Sequence, residues 1–210
     1  MKPVKLKRSF FNRPTIDVAV DLLGKIFIYM DGSKKIGGRL VEVEAYIGKD
    51  DPACHACHGK TPRNEIMFGK PGYLYVYFTY GNHHMLNIVT EKEGFPAAVL
   101  LRGLEPLYGI KQMMKNRGVD KLTDATNGPG KIAKAQGITV KQKGLDVTGD
   151  KIYVVDDMTQ PGEIWCSPRI GIGDRGADKM WRFFIKDNPY VSKAPPYIDK
   201  MSRRFCRKTH

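Results

Sequence analysis

Hydrophobic and polar positions alternate most cleanly along residues 39–46, Arg-Leu-Val-Glu-Val-Glu-Ala-Tyr. Val41, Val43 and Ala45 fall on one side, and Glu42, Glu44 and Tyr46 on the other. A period of two predicts a strand with one apolar and one polar face. Two carboxylates and a tyrosine on one strand face are costly to bury unless they find partners or do chemistry. Glu44 is therefore the first candidate for a general base. Upstream, residues 15–23 place Ile16, Val20 and Leu23 on one stripe between Pro14 and Gly24, which predicts a short helix. Residues 25–30 read as a strand, and Asp31-Gly32-Ser33-Lys34 has turn chemistry, so this strand and the alternating one form a hairpin.

Residues 48–72 are a long polar loop, the kind that in a compact domain serves function or is disordered. Residues 73–80, rich in tyrosine, have high β-propensity, and Gly81-Asn82 signals a turn. Strands at 85–90 and 97–102 complete a three-strand meander. Residues 106–117 read as a helix stopped by Gly118, and Gly128-Pro129-Gly130-Lys131 opens another running to about Gln136. Short strands follow at 151–155, 164–172 and 181–185, and the basic tail from about residue 200 is expected to be loose. No repeat, low-complexity linker or break in composition divides the chain. The expected fold class is α+β: a single domain over residues 1–210, with a curved antiparallel β-sheet and peripheral helices.

Composition changes this picture mainly through charge. Hydrophobic residues make up 41% of the 210, enough for an ordinary core, while 35 Lys and Arg against 22 Asp and Glu leave a net charge of +13. Such an excess favours a polyanionic partner through phosphate neutralisation and counterion release. No segment approaches the roughly 20 apolar residues of a membrane span, so no membrane partner is expected. The basic N-terminus lacks the apolar run of a signal peptide. The four cysteines do not form a disulfide scaffold at this length. A cytoplasmic monomer with reduced thiols is expected, nucleoid-associated if the source is bacterial.

Several local patterns carry candidate chemistry. Cys54-His55-Ala56-Cys57-His58 has the C-x-x-C-H spacing of haem attachment and offers soft ligands for zinc. No export signal supports the first reading. For zinc, a second ligand pair is wanting, since Cys166 and Cys206 lie far along the chain and apart. The zinc nucleobase deaminase signature is not met either. The plainer reading is a polar loop in which one histidine makes hydrogen bonds. Tyr73, Tyr75 and Tyr77 share a strand face, where tyrosines pack in cores or stack on bases. Tyr80, at a turn of opposite parity, is placed to enter a duplex as a wedge. Asn87, inside an apolar run, either bonds neighbouring backbone or reads a base edge. Arg102 ends a buried strand and needs a carboxylate or phosphate; Glu44 is a sensible partner. Arg63, and Lys131 at a helix start, are candidate phosphate contacts, although the full phosphate-loop motif is absent.

Taken together these stretches resemble the alkyladenine (3-methyladenine) DNA glycosylase family. The resemblance is carried by Arg-Leu-Val-Glu-Val-Glu-Ala-Tyr-Ile-Gly, Lys-Thr-Pro-Arg-Asn, Pro-Gly-Tyr-Leu-Tyr-Val-Tyr-Phe-Thr-Tyr-Gly, Leu-Leu-Arg-Gly-Leu-Glu-Pro, Gly-Pro-Gly-Lys and Pro-Arg-Ile-Gly-Ile-Gly, in that order over most of residues 13–192. It implies that Glu44 activates a hydrolytic water held with the help of Arg102 and the backbone carbonyl of Ile170. It also implies that Tyr46, His55 and Tyr77 bind the flipped base, that Asn87 tests bulk at guanine N2, and that Tyr80 fills the gap left in the duplex. The sequence departs from the family pattern at Cys54 and Cys57, where Ser or Ala is usual, and at Asn82, where an apolar residue is usual.

The function so implied is a monofunctional glycosylase acting on damaged double-stranded DNA, without metal or other cofactor. It would flip alkylated or deaminated purines (3-methyladenine, 7-methylguanine, hypoxanthine) and hydrolyse the N-glycosidic bond, starting base excision repair. No lysine stands at a matched catalytic position to form a Schiff base. Two readings of other classes compete: a non-catalytic nucleic-acid-binding domain, and a metal-dependent enzyme using the loop from Cys54 to His58.

Overall fold

A computed structural model describes residues 3–79 and 81–207. Among these, the strands are β1 (Val4–Lys5), β2 (Ile26–Asp31), β3 (Lys34–Ile47), β4 (Leu74–Thr79), β5 (His83–Val89), β6 (Ala97–Tyr108), β7 (Ile152–Asp156), β8 (Ile164–Ser167), β9 (Arg182–Ile185) and β10 (Arg203–Arg204). The helices are α1 (Arg8–Phe11), α2 (Thr15–Leu22), α3 (Ile110–Arg117), α4 (Thr123–Thr126), α5 (Pro129–Gln136) and α6 (Pro196–Met201). All the strand pairings are antiparallel and join the strands into one sheet that does not close into a barrel. The α+β class expected from the sequence is what the chain adopts.

The alternating strand is the spine of this sheet. β3 pairs with β6 along one edge, from Gly37↔Tyr108 to Ile47↔Ala97. Along its other edge the partner changes: residues 34–39 pair with β2, and residues 42–44 pair with β9. The β3–β6 ladder is irregular at Gly37/Gly38 and around Leu40/Glu42, and such bulges bend a strand and sharpen its twist. Glycine is required at the first of these irregularities. A Cβ on Gly38 would stand 2.1 Å from the Glu105 carbonyl oxygen, and one on Gly37 would stand 2.3 Å from that of Phe27.

Val41, Val43 and Ala45 are fully buried in the main core, with Leu40, Leu101, Leu104 and Ile132 among the residues of the same cluster. The opposite face of β3 is buried too: Glu42 and Glu44 are both 0% exposed. Helix α2 adds Val18, Ala19 and Leu22 to the core, and α5 adds Ile132, Ala133 and Ala135.

Three expectations meet a different outcome. Pro106 does not open a helix. It lies in β6 opposite Gly38, at the bulge, where a missing N–H is tolerated, and the helix begins only after Gly109 turns the chain with φ +69°. The strand expected over 164–172 stops at Ser167, because Pro168 follows and cannot donate to a ladder. Over residues 200–207, the described part of the stretch expected to be loose is tied to the sheet: β10 pairs with β8, Phe205 N–H donates to the Ile164 carbonyl, and Arg207 bridges Asp21. No helix among the described residues is long and apolar enough to cross a membrane.

Candidate active site

Register gathers the site. Glu44 on β3 stands opposite Leu100 on β6, Leu100 opposite Asn87 on β5, and Asn87 opposite Tyr75 on β4. On the other side Glu44 pairs with Arg182 on β9, which pairs with Ser167 on β8. Directly opposed residues share a sheet face, so one transverse row crosses six strands. Above the part of this row that runs to β4 lies a cavity of about 460 Å³. Tyr46, His55, Arg63, Tyr77, Asn87, Arg102 and Ile170 all line it, together with Met67, Tyr75, Leu100 and Arg175.

Glu44 sits just behind this wall, and its neighbours are donors that themselves line the cavity. The Tyr46 hydroxyl donates to Oε2 at 2.8 Å, the Ile170 backbone N–H donates to Oε1 at 2.7 Å, and Arg102 Nη1 donates to Oε2 at 3.3 Å. The sequence reading gave Ile170 a role through its carbonyl; the contact to Glu44 is made by its amide. Burial, with the Glu44 charge adding to it, holds the Tyr46 phenol well above its ordinary pKa, so its hydroxyl keeps its proton and donates.

The second carboxylate of β3 is wholly engaged in the fold. Glu42 Oε1 accepts from Arg182 Nε at 2.6 Å, Ser192 Oγ at 2.8 Å and Arg102 Nε at 3.2 Å, while Oε2 accepts from Ser192 N–H at 2.7 Å. Burial alone would raise its pKa, but the guanidinium groups of Arg102 and Arg182 outweigh that and hold the carboxyl below the ordinary value. Arg102 thus spans both carboxylates, and the same two charges raise its own pKa despite burial.

The aromatic wall comes from β4 and the loop after β3. The rings of His55 and Tyr77 meet edge to face at 4.4 Å, and Tyr75 and Tyr77 lie 5.4 Å apart. His55 Nδ1 is 2.9 Å from the Tyr75 hydroxyl, and the Asn64 side chain donates to the His55 carbonyl at 2.8 Å. His55 lines the cavity and is partly open to solvent. Burial, then the charges of Arg63 and Arg175, push its pKa down to about 4, so the ring is neutral at physiological pH. Asn87 is buried and its Nδ2 donates to the Tyr75 carbonyl at 3.2 Å, so it serves the backbone while lining the cavity.

Arg63 is exposed at the rim, its guanidinium 5.5 Å from the Tyr77 ring centre and bonded to the Phe78 carbonyl. Lys131 is not part of the lining; its ammonium bonds Asn127 at 2.7 Å, while Pro129 in the same first turn of α5 reaches the cavity. Tyr80 lies outside the described residues. Among the described residues, no group of three or more His, Cys, Asp and Glu side chains gathers to hold a metal ion.

Sequence reasoning missed one pair that holds the two halves together. Arg169 is 1% exposed and makes a bidentate bridge to fully buried Asp51 at 2.6 and 2.7 Å. Its Nη1 also donates to the Ala45 carbonyl at 2.9 Å, and its guanidinium lies over the rings of Tyr46 (4.7 Å) and Trp181 (5.2 Å). Asp51 in turn accepts from the backbone of Ile47 and Ala53. The loop carrying His55 is thereby bound to the loop carrying Ile170. The only signal was Arg169 itself, beside Ile170 in Pro-Arg-Ile-Gly, with nothing to indicate its partner.

Comparison with known proteins shows which family the chain is similar to. The family model described as methylpurine-DNA glycosylase matches residues 9–189. A protein of Prosthecochloris aestuarii described as "Putative 3-methyladenine DNA glycosylase" is 48% identical over 200 residues, covering 94% of this chain and 96% of that one. Proteins of the same description from Chlorobium phaeobacteroides (44% identical, 90% of this chain and 95% of the other) and Methanocella arvoryzae (45% identical, 91% and 97%) are also similar.

Proposed function

The chain belongs to the methylpurine-DNA glycosylase family, and we propose that it excises alkylated and deaminated purines from duplex DNA by metal-free hydrolysis of the N-glycosidic bond. The observation that carries this reading is the placement of Glu44 beneath an aromatic cavity, with Tyr46, Arg102 and Ile170 of the cavity wall bonded to its carboxylate.

A base within the stack cannot admit water to C1′, so the nucleotide is extruded at a cost of a few kcal/mol, less where damage has weakened pairing. The cavity is large enough to take the base between aromatic groups. Tyr46, His55 and Tyr77 form that slot. Because His55 is neutral, it does not repel a cationic alkylated base, and the tyrosine faces attract one. Asn87 and Leu100 form the floor, against which a group at guanine N2 is tested.

Departure of the base leaves positive charge on the sugar. Glu44 opposes that charge and takes a proton from the attacking water, which the Ile170 carbonyl helps to hold. Glu44 is fully buried, so water reaches it from the cavity, on whose wall the Tyr46 hydroxyl holds Oε2 and the Ile170 amide holds Oε1. Arg102 keeps one edge of the carboxylate fixed meanwhile. No lysine is among the described residues lining the cavity, which supports a monofunctional enzyme that leaves the abasic strand unbroken. Tyr80 is assigned the wedge, and Arg63 and Lys131 the phosphates.

The test is single-turnover base release, with chelator present, from a duplex bearing one hypoxanthine and from methylated DNA. Wild type should release base from both. Glu44→Gln should be slower by about 10²–10⁴-fold, the usual worth of a positioned base. Tight binding without release by wild type would instead mark a binding module, and strand scission trapped by borohydride would exclude the monofunctional mechanism.

A further inference from the structure

The proposed mechanism leaves one conspicuous motif unused, the two cysteines that flank His55. We propose that Cys54 and Cys57 are a thiol pair which a peroxide oxidises to a disulfide within the loop, displacing His55 and slowing base release; the effect on base release rests on the base-binding reading of the cavity.

The loop is already folded for this closure. Cys57 N–H donates to the Cys54 carbonyl at 3.1 Å, so the two residues are the first and last of a tight turn. The ends of such a turn lie within about 7 Å, Cα to Cα, which overlaps the roughly 4.4–6.8 Å that a disulfide spans. Asp51 fixes the turn from below, its carbonyl accepting from Cys54 N–H at 2.8 Å.

The two thiols occupy different surroundings. Cys54 is 2% exposed and packs in a small core with Ala56, Met67, Tyr75 and Val89, against which Tyr46 and Tyr77 rest. Burial pushes its pKa up to about 11, so it rests as a protonated thiol and is not the one that meets the oxidant first. Cys57 is only half-buried, its Sγ 3.8 Å from the Pro52 carbonyl, and is the one a small oxidant can reach.

In the first step the Cys57 sulfur attacks one peroxide oxygen. The O–O bond breaks, a sulfenic acid forms, and the other oxygen leaves as water with the thiol proton. In the second step the Cys54 sulfur attacks the sulfenic sulfur, the S–S bond forms, and the hydroxyl leaves with the Cys54 proton as a second water. Two thiols lose two electrons and two protons, and one peroxide becomes two waters. The backbone turn is in place but the two sulfurs lie in different surroundings, so forming the bond draws Cys54 Sγ out of the small core it shares with Tyr75. It also rotates the segment that carries His55 away from its 2.9 Å contact with the Tyr75 hydroxyl.

The experiment treats the intact protein with hydrogen peroxide and reads three signals. Both cysteines fall in one tryptic peptide, residues 50–60, so the disulfide appears there as the loss of two hydrogens. The His55 imidazole resonance should shift, and base release from the hypoxanthine duplex should fall by about tenfold or more, as an ångström-scale misplacement does. Dithiothreitol should reverse all three, which separates them from oxidation of Met67. Cys57→Ser should show none of them. Absence of the mass loss, or a mass loss with His55 and base release unchanged, overturns the proposal. If untreated protein releases no base, the glycosylase reading fails by itself, and the peptide mass and the His55 resonance still decide the thiol pair.

Discussion

Neighbouring carboxylates on one strand face have opposite fates here. Glu42 is enclosed by Arg182, Arg102 and Ser192, whereas Glu44 is enclosed by groups that line a cavity. Glu42→Gln should therefore cost about 3–5 kcal/mol of stability, since it leaves buried guanidinium charge without its partner. Thermal or urea unfolding would show this, and an unchanged midpoint would refute the assignment. Asp51→Asn should behave differently from either. It weakens the bridge from Arg169, so unfolding should come earlier and kcat should fall through misplacement of His55 and Ile170. Asp51→Glu, which keeps the charge, should recover more of kcat than Asp51→Asn does. At His55, the folded pKa of about 4 lies below the ordinary 6.5. Between those values the unfolded chain takes up a proton that the folded chain refuses. Its contribution to stability is thus complete above about pH 6.5 and is lost as the pH falls through about 4. An NMR titration should find the ring neutral at pH 6, and a charged ring there would overturn the description of the pocket.

Among the elements, β3 carries most of the consequence. It holds the general-base candidate at a point where its edge partner has changed from β2 to β9, so the same strand joins both lobes of the sheet. The glycines at 37 and 38 permit the close approach of neighbouring backbones that this bend requires. Gly38→Ala would press a methyl group onto the Glu105 carbonyl, and backbone cannot move aside as a flexible side chain can. A loss of about 1–3 kcal/mol is expected, the range found for overpacked interiors, with a matching drop in the melting temperature. Little change would mean that the bulge can shift to another residue. The same bulge explains why Pro106 reads as a helix start in the sequence yet lies in a strand: the local signal for proline is shared by both sites.

The whole molecule is set up for a polyanion. Its net charge is +13, and Arg63 and Arg175 stand exposed at the mouth of the cavity. Binding to an undamaged duplex should weaken as salt rises, with a slope in log–log form of about −0.9 per phosphate neutralised. Arg63→Ala should reduce that slope by about one and weaken damaged and undamaged duplexes alike. A variant that lost only lesion binding would place Arg63 at the base and not at the backbone, which its position over the Tyr77 ring also makes a measurable outcome.

Local periodicity and residue chemistry determined much of this protein. The two faces of β3, the meander of β4, β5 and β6, the helix opened by Gly128-Pro129 and the basic character are consequences of neighbouring residues, and a sequence displays them. The ordered motifs also pointed to Glu44, Tyr46, His55, Tyr77, Asn87, Arg102 and Ile170, all of which meet at one cavity or directly behind it. Tertiary structure alone decided which partners they keep. Strand register, set by packing over the whole sheet, put Arg182 opposite Glu44 in the ladder, while its guanidinium joined the ionic cluster around Glu42. Loop packing joined Asp51 to Arg169 across 118 residues of chain and turned the Ile170 amide toward the carboxylate. Contacts at that separation are fixed by burial and hydrogen-bond satisfaction in three dimensions, and no short stretch of sequence encodes them.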